Sequence, residues 1–206
     1  MLRIKKITII AVLVAGLLAI GLYFLLNPKQ KITTVPLESK VATVEQAYDI
    51  AYNYANKICP EPELYFYGIT LFGKEKILSE RASGYFFNFD GMDKNFQYMR
   101  AVWITIIPED MEMTVVQERD SGYYAFKSLM EKPEEIDVNA IVDKALTEQN
   151  MGTLEQILKQ DPETIISIMR KPVVYSEKYT FKKIWEVKIT TSGAEKIIED
   201  VELADQ

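Results

Sequence analysis

Aromatic residues carry most of this chain's potential for recognition. Tyr65, Phe66 and Tyr67, then Tyr85, Phe86, Phe87 and Phe89, then Tyr123, Tyr124 and Phe126 form three dense runs. The surrounding stretches are rich in aromatic and β-branched residues and read as strands. Successive side chains of a strand point to opposite faces. Consecutive rings therefore divide between a core face and the face opposite. Rings on an uncovered face can grip a partner. Tyr65, Tyr67, Tyr85, Phe87 and Tyr123 are the candidate partner-binding residues on this reading. The competing reading is that a helix or second layer covers that face too. Trp103 and Trp185, the only two tryptophans, are assigned to structure.

Catalysis is limited by what is missing. The chain has no histidine and one cysteine, Cys59. That removes Ser-His-Asp and Cys-His catalysis, the usual zinc sites and any intrachain disulfide. There is no S-x-x-K, no P-loop and no GxGxxG. Cys59 has only Lys57 as a near cation in sequence, which does not make a reactive thiol, and it reads as buried or incidental. The acidic clusters Glu109-Asp110-Glu112, Glu134-Glu135 and Glu199-Asp200-Glu202 sit in or beside turns or at the tail and read as solvated surface. A paired-carboxylate cell-wall hydrolase is the residual enzymatic alternative. Asp90-Gly91-Met92-Asp93 lacks the ordered acids of a calcium loop and reads as a plain turn. No catalytic residue, cofactor or metal is expected, and the chain is not expected to be an enzyme.

Residues 7–26, ITIIAVLVAGLLAIGLYFLL, hold no charge and have the length of a membrane-crossing helix. Arg3, Lys5 and Lys6 precede them, favouring a cytoplasmic N-terminus and an extracytoplasmic remainder. The expected location is the cell membrane, single-pass, with a protein partner in the cell envelope. Residues 1–31 hold five of the 24 basic residues and no acid, so the other 19 basic and 30 acidic residues leave the remainder at −11. An acidic surface of that size argues against nucleic acid.

The elements that position the aromatic runs follow from the pattern. Residues 1–6 read as a cytoplasmic head, 7–26 as a transmembrane helix, with a cleaved signal segment or a buried helix as the competing readings, and 27–42 as a stalk. Thr43 to Lys57 is a helix, with Thr43 and Gln46 as a capping box and an apolar face through Val44, Ala47, Tyr48, Ala51, Tyr54, Ala55 and Ile58. Strands are expected at 64–71, 84–89, 96–107 and 111–118, with Asp90-Gly91 in a turn and 96–118 as a hairpin. Residues 127–135 read as a linker. Helices are expected from Asp137, over 153–160, and from Asp161-Pro162-Glu163 to Arg170-Lys171. Residues 173–190 return to strand, turn at Thr191-Ser192-Gly193, and run back over 195–203.

The halves 43–126 and 136–206 then compare. Each opens with a capped amphipathic helix and reaches a strand with one tryptophan, Trp103-Ile104-Thr105 or Trp185-Glu186-Val187. They read as a duplication, or else as two unrelated α+β segments that each bury a tryptophan. With Val115-Val116 and Asp120-Ser121-Gly122 after Trp103, and Gly193 in the turn after Trp185, the pattern resembles the PepSY domain of bacterial protease propeptides and membrane-associated proteins. Thr105 stands where that family commonly has valine, and the second half lacks the closing Asp-x-Ser/Thr-Gly. The resemblance implies a helix on an antiparallel sheet and a role in binding and restraining extracytoplasmic proteases. The expected fold class is therefore α+β: an N-terminal transmembrane helix, then a helix packed on an antiparallel sheet, duplicated. The expected function is a membrane-anchored, extracytoplasmic protein-binding module. The alternative is an accessory or sensor subunit of a membrane complex.

Overall fold

The computed structural model describes residues 30–95, 99–120, 132–134, 136–170 and 184–202. The described residues from Ile32 onwards belong to one compact unit. Its strands are β1 (Gln30–Pro36), β2 (Glu63–Phe72), β3 (Gly84–Met92), β4 (Met99–Ile107), β5 (Glu112–Asp120), β6 (Ile165–Arg170), β7 (Ile184–Thr190) and β8 (Glu195–Glu202). They form one eight-stranded sheet in the order β1-β5-β4-β3-β2-β6-β7-β8. The helices are α1 (Val44–Ile58), α2 (Lys74–Leu78), α3 (Val138–Glu148) and α4 (Leu154–Gln160).

This corrects the expected fold class. Helix accounts for 27% and strand for 44% of the described residues, so the sheet, not a pair of helix-on-sheet units, organises them. The two halves share it: β2 and β6 are antiparallel neighbours from Tyr67↔Arg170 to Phe72↔Ile165. The N-terminal transmembrane helix is corrected too, and with it the single-pass, cell-membrane location. No helix among the described residues is long and apolar enough to cross a membrane, and 7–26 lie outside those residues. Part of the expected stalk is strand β1.

Local sequence explains most of the elements. Thr43 caps α1 by accepting from the Gln46 amide, and the Gln46 side chain accepts from Ala42 N at 2.9 Å. Ala47, Ala51 and Ala55 form a small, fully buried stripe that lets α1 approach the sheet closely, while Tyr48 sets its ring 6.0 Å from both Phe87 and Phe89. Asp137 caps α3, and Thr153 with Gln156 makes a complete capping box for α4. Val138, Ile141, Val142, Ala145 and Leu146 turn α3 into the core.

Two local signals misled. Asp161-Pro162-Glu163 opens a turn rather than a helix: the Asp161 carboxylate accepts from Glu163 N at 3.1 Å and from Ser192 N at 2.6 Å. The following Ile165, Ile166 and Ile168 suit a pleated, half-buried surface, and the slot between β2 and β7 takes them as β6. Asp90-Gly91, expected as a turn, continues β3 and pairs with Ala101 and Arg100.

One core joins the helices to one face of the sheet. Tyr67, Ile69 and Leu71 of β2, Tyr85, Phe87 and Phe89 of β3, Val102, Ile104 and Ile106 of β4, and Trp185, Val187 and Ile189 of β7 all belong to it. No described side chain from the opposite face of β2–β5 does.

Candidate functional site

Strand pairing fixes which residues share the face opposite the helices. One row across the sheet reads Val116, Trp103, Asn88 and Phe66, through the pairs Trp103↔Val116, Asn88↔Trp103 and Phe66↔Asn88. The row on one side reads Thr114, Thr105, Phe86, Gly68 and Met169. The row on the other side reads Glu118, Ala101, Asp90 and Glu63.

The aromatic cluster is built around β3. Phe66 on β2 and Trp103 on β4 flank it, and strands two apart lie roughly 9.5 Å from each other. Their ring centroids nevertheless approach to 5.1 Å, edge to face. The two rings must lean together over the residue between them, which is Asn88. Phe66 also meets Phe86 at 6.4 Å and Tyr65 at 6.1 Å. Gly68 makes room for this arrangement. A Cβ there would stand 2.1 Å from Phe86 Cζ and 2.4 Å from the Ile168 carbonyl oxygen, so the Phe86 ring lies across the glycine.

Asn88 is thereby buried, 3% exposed, on a face that no helix among the described residues covers. Its Nδ2 has no hydrogen-bond partner. A buried polar group without a partner is costly and needs a reason. Around it the surface stays open: Tyr65 is 38% exposed and Trp103 41%.

The electrostatics are one-sided. Glu63, Asp90 and Glu118 line the row beside the cluster, and Glu112 lies on the same face of β5. None of the described residues sharing this face on β2–β5 is Lys or Arg. Arg100, next to Ala101, points to the opposite face and lies 3.8 Å from Asp93.

The sequence candidates divide between the faces. Tyr65 lies at a β-bulge on β2, between Leu64 and Phe66, and is exposed. That extra residue puts Tyr67 on the core side. Tyr67, Tyr85 and Phe87 are all buried against the helices. Tyr67 stacks on Phe87 at 6.4 Å, burial pushing its hydroxyl up to about 12. Tyr85 donates its hydroxyl hydrogen to the Ala42 carbonyl at 3.1 Å. Tyr123 lies outside the described residues. Trp185 is in the core, whereas Trp103, read as structural, stands on the open face. Sequence reasoning missed Asn88. Its signal was parity: it is the one polar residue in Tyr85–Phe89, out of phase with Tyr85, Phe87 and Phe89.

Cys59 is buried and donates weakly to the Ala55 carbonyl at 3.6 Å. Burial pushes its thiol up to about 11, with Arg100 opposing that shift. Glu109 pairs with Lys76 at 2.5 Å, and Asp110, Glu199 and Asp200 are exposed. No group of three acidic or thiol ligands that could hold a metal occurs among the described residues. The chain matches no protein-family model, no curated protein and no solved structure.

Proposed function

We propose that this chain is a protein-binding module that holds its partner on the uncovered face of β2–β5. One observation carries the reading: large rings cluster on a sheet face that shares no side chain with the core. Exposed aromatic patches are costly in water and are the anchors of protein interfaces. The PepSY resemblance supports an enzyme as the partner, held in check by the module. The acidic surface and the absence of histidine favour binding over catalysis.

Site-directed photo-crosslinking in the native host tests this. A photoreactive residue replacing Tyr65 should yield a discrete protein adduct, and one replacing Glu148 at the end of α3 should not. Trp103→Ala should remove the adduct, since an aromatic anchor is worth about 2 kcal/mol or more, roughly thirtyfold in affinity. Identical adducts from both positions, unaffected by Trp103→Ala, would refute the reading.

A further inference from the structure

We infer that the open face takes an extended peptide segment carrying an apolar side chain and a Lys or Arg two residues apart, with its backbone hydrogen-bonded to the Asn88 carboxamide. This rests on the protein-binding reading of the same face and specifies the chemistry of the partner. Two independent observations point to it.

The first is Asn88 itself. It is buried by Phe66 and Trp103 leaning over it, and its Nδ2 has no acceptor. An apolar residue would fill that space without stranding a donor. A peptide carbonyl is the acceptor that a carboxamide donor fits. Trp103, 41% exposed, is the more exposed half of the cover, Phe66 being half-buried. Lifting it from Phe66 opens the amide to a chain lying along the strands and leaves the indole free to pack on that chain.

The second is the charge pattern. The row holding Glu63, Asp90 and Glu118 lies two residues along the strands from the row holding Trp103 and Phe66. Two residues of extended chain span about 6.7 Å, so positions i and i+2 of a bound peptide match the two rows. An apolar side chain at i meets the rings, and a cation at i+2 meets the carboxylates. Ala101 keeps the acidic row shallow between Asp90 and Glu118. Arginine suits both neighbours, since its planar cation also stacks on aromatic faces. A second copy is a poor occupant. Its matching face would bring the same carboxylates and, among the described residues of β2–β5, no cation.

The test uses the full chain, isotope-labelled, and a short synthetic peptide alternating leucine and arginine between glycines. A second peptide carries glutamate for arginine. The first should shift the Asn88 side-chain amide and Trp103 indole resonances. The second should bind at least tenfold more weakly. Glu118→Lys, an exposed change that keeps the fold, should weaken the first by about tenfold, the scale for reversing a rim charge. Asn88→Val should weaken it while leaving the fold intact by circular dichroism. Equal binding of both peptides, or no effect of Glu118→Lys, overturns the charge pairing; if Trp103→Ala still abolishes binding, the protein-binding face survives. Binding insensitive to Trp103→Ala overturns both. Shifts elsewhere on the protein, or none, overturn the inference and leave the function to the crosslinking experiment. Concentration-dependent shifts at Asn88 and Trp103 without peptide would assign the face to a second copy instead.

Discussion

Replacing Asn88 by leucine should stabilise the protein. The change keeps the volume under Phe66 and Trp103 and removes the amide whose Nδ2 is buried without an acceptor. A stranded buried donor costs about 1–3 kcal/mol, and an apolar group of similar shape escapes that cost. Part of the gain is offset, because leucine branches where the amide is planar and the two rings must adjust. A net gain of about 1.5 kcal/mol is expected. For a unit of this size that raises Tm by roughly 3–6 °C. Urea melts should show a higher midpoint at unchanged slope. The same variant should lose peptide binding, so stability and function move in opposite directions. Asn88→Asp provides the opposite arm. No cation of the described face residues stands beside position 88, and Asp90 and Glu118 are neighbours in the next row. An uncompensated buried carboxylate costs about 3–5 kcal/mol at neutral pH. Its folded pKa would be raised, so stability would recover as pH falls towards the unfolded value near 4. A leucine variant destabilised by about 1 kcal/mol or more would show that the amide is bonded, and would remove the first support for the peptide site.

Three further outcomes follow from the packing and the charges. Gly68→Ala should destabilise by about 3 kcal/mol in a urea melt, because one of the three blocking atoms is the Ile168 backbone oxygen and cannot rotate away. The small gain from a stiffer unfolded chain does not offset that. Asp161 is held below its ordinary 3.8 by hydrogen bonds from Ser192 first and Glu163 after it. Its contribution is therefore present above pH 3.8 and lost as pH falls towards its lower folded value; Asp161→Asn should flatten the stability profile in that acid window and nowhere else. The Cys59 thiol, with burial raising it from 9.0 to about 11, should resist a thiol reagent at pH 8 until urea unfolds the chain. Stability should fall as pH rises from 9 to 11, and Cys59→Ala should remove that fall. Rapid labelling of the native protein would refute the burial.

How much of this was legible in sequence depended on the range of the interaction. The caps of α1 and α3 were readable because Thr43 and Asp137 act on residues three positions away. The β4–β5 hairpin was readable for the same reason. The β6 strand was not: Asp161-Pro162 carries a genuine local helix signal, and the decision was made by partners at Tyr67–Phe72 and Trp185–Thr190. The shared sheet depends on that same pairing. In the aromatic runs, alternation alone put Tyr65 and Tyr67 on one face. The bulge at Tyr65 shifted the phase, and no residue type there announced it. Trp103 was legible as a strand residue, but its face depended on which side the helices chose.

The acidic row makes the aromatic cluster tolerable in water as well as selective. An exposed patch of Trp103 and Tyr65 beside Phe66 invites self-association. Carboxylates at Glu63, Asp90 and Glu118 oppose it, because two such faces repel over about 8 Å at physiological salt. Placing them one row away from the rings leaves the aromatic contact intact for a partner that brings its own cations. Discrimination then comes from repulsion of acidic or identical faces as much as from attraction of the right one. Asn88 adds the second filter. An apolar surface without a backbone hydrogen-bond group of its own cannot satisfy Nδ2, whereas an extended chain can. The feature that weakens the fold is thus the one that separates a peptide from any other apolar contact.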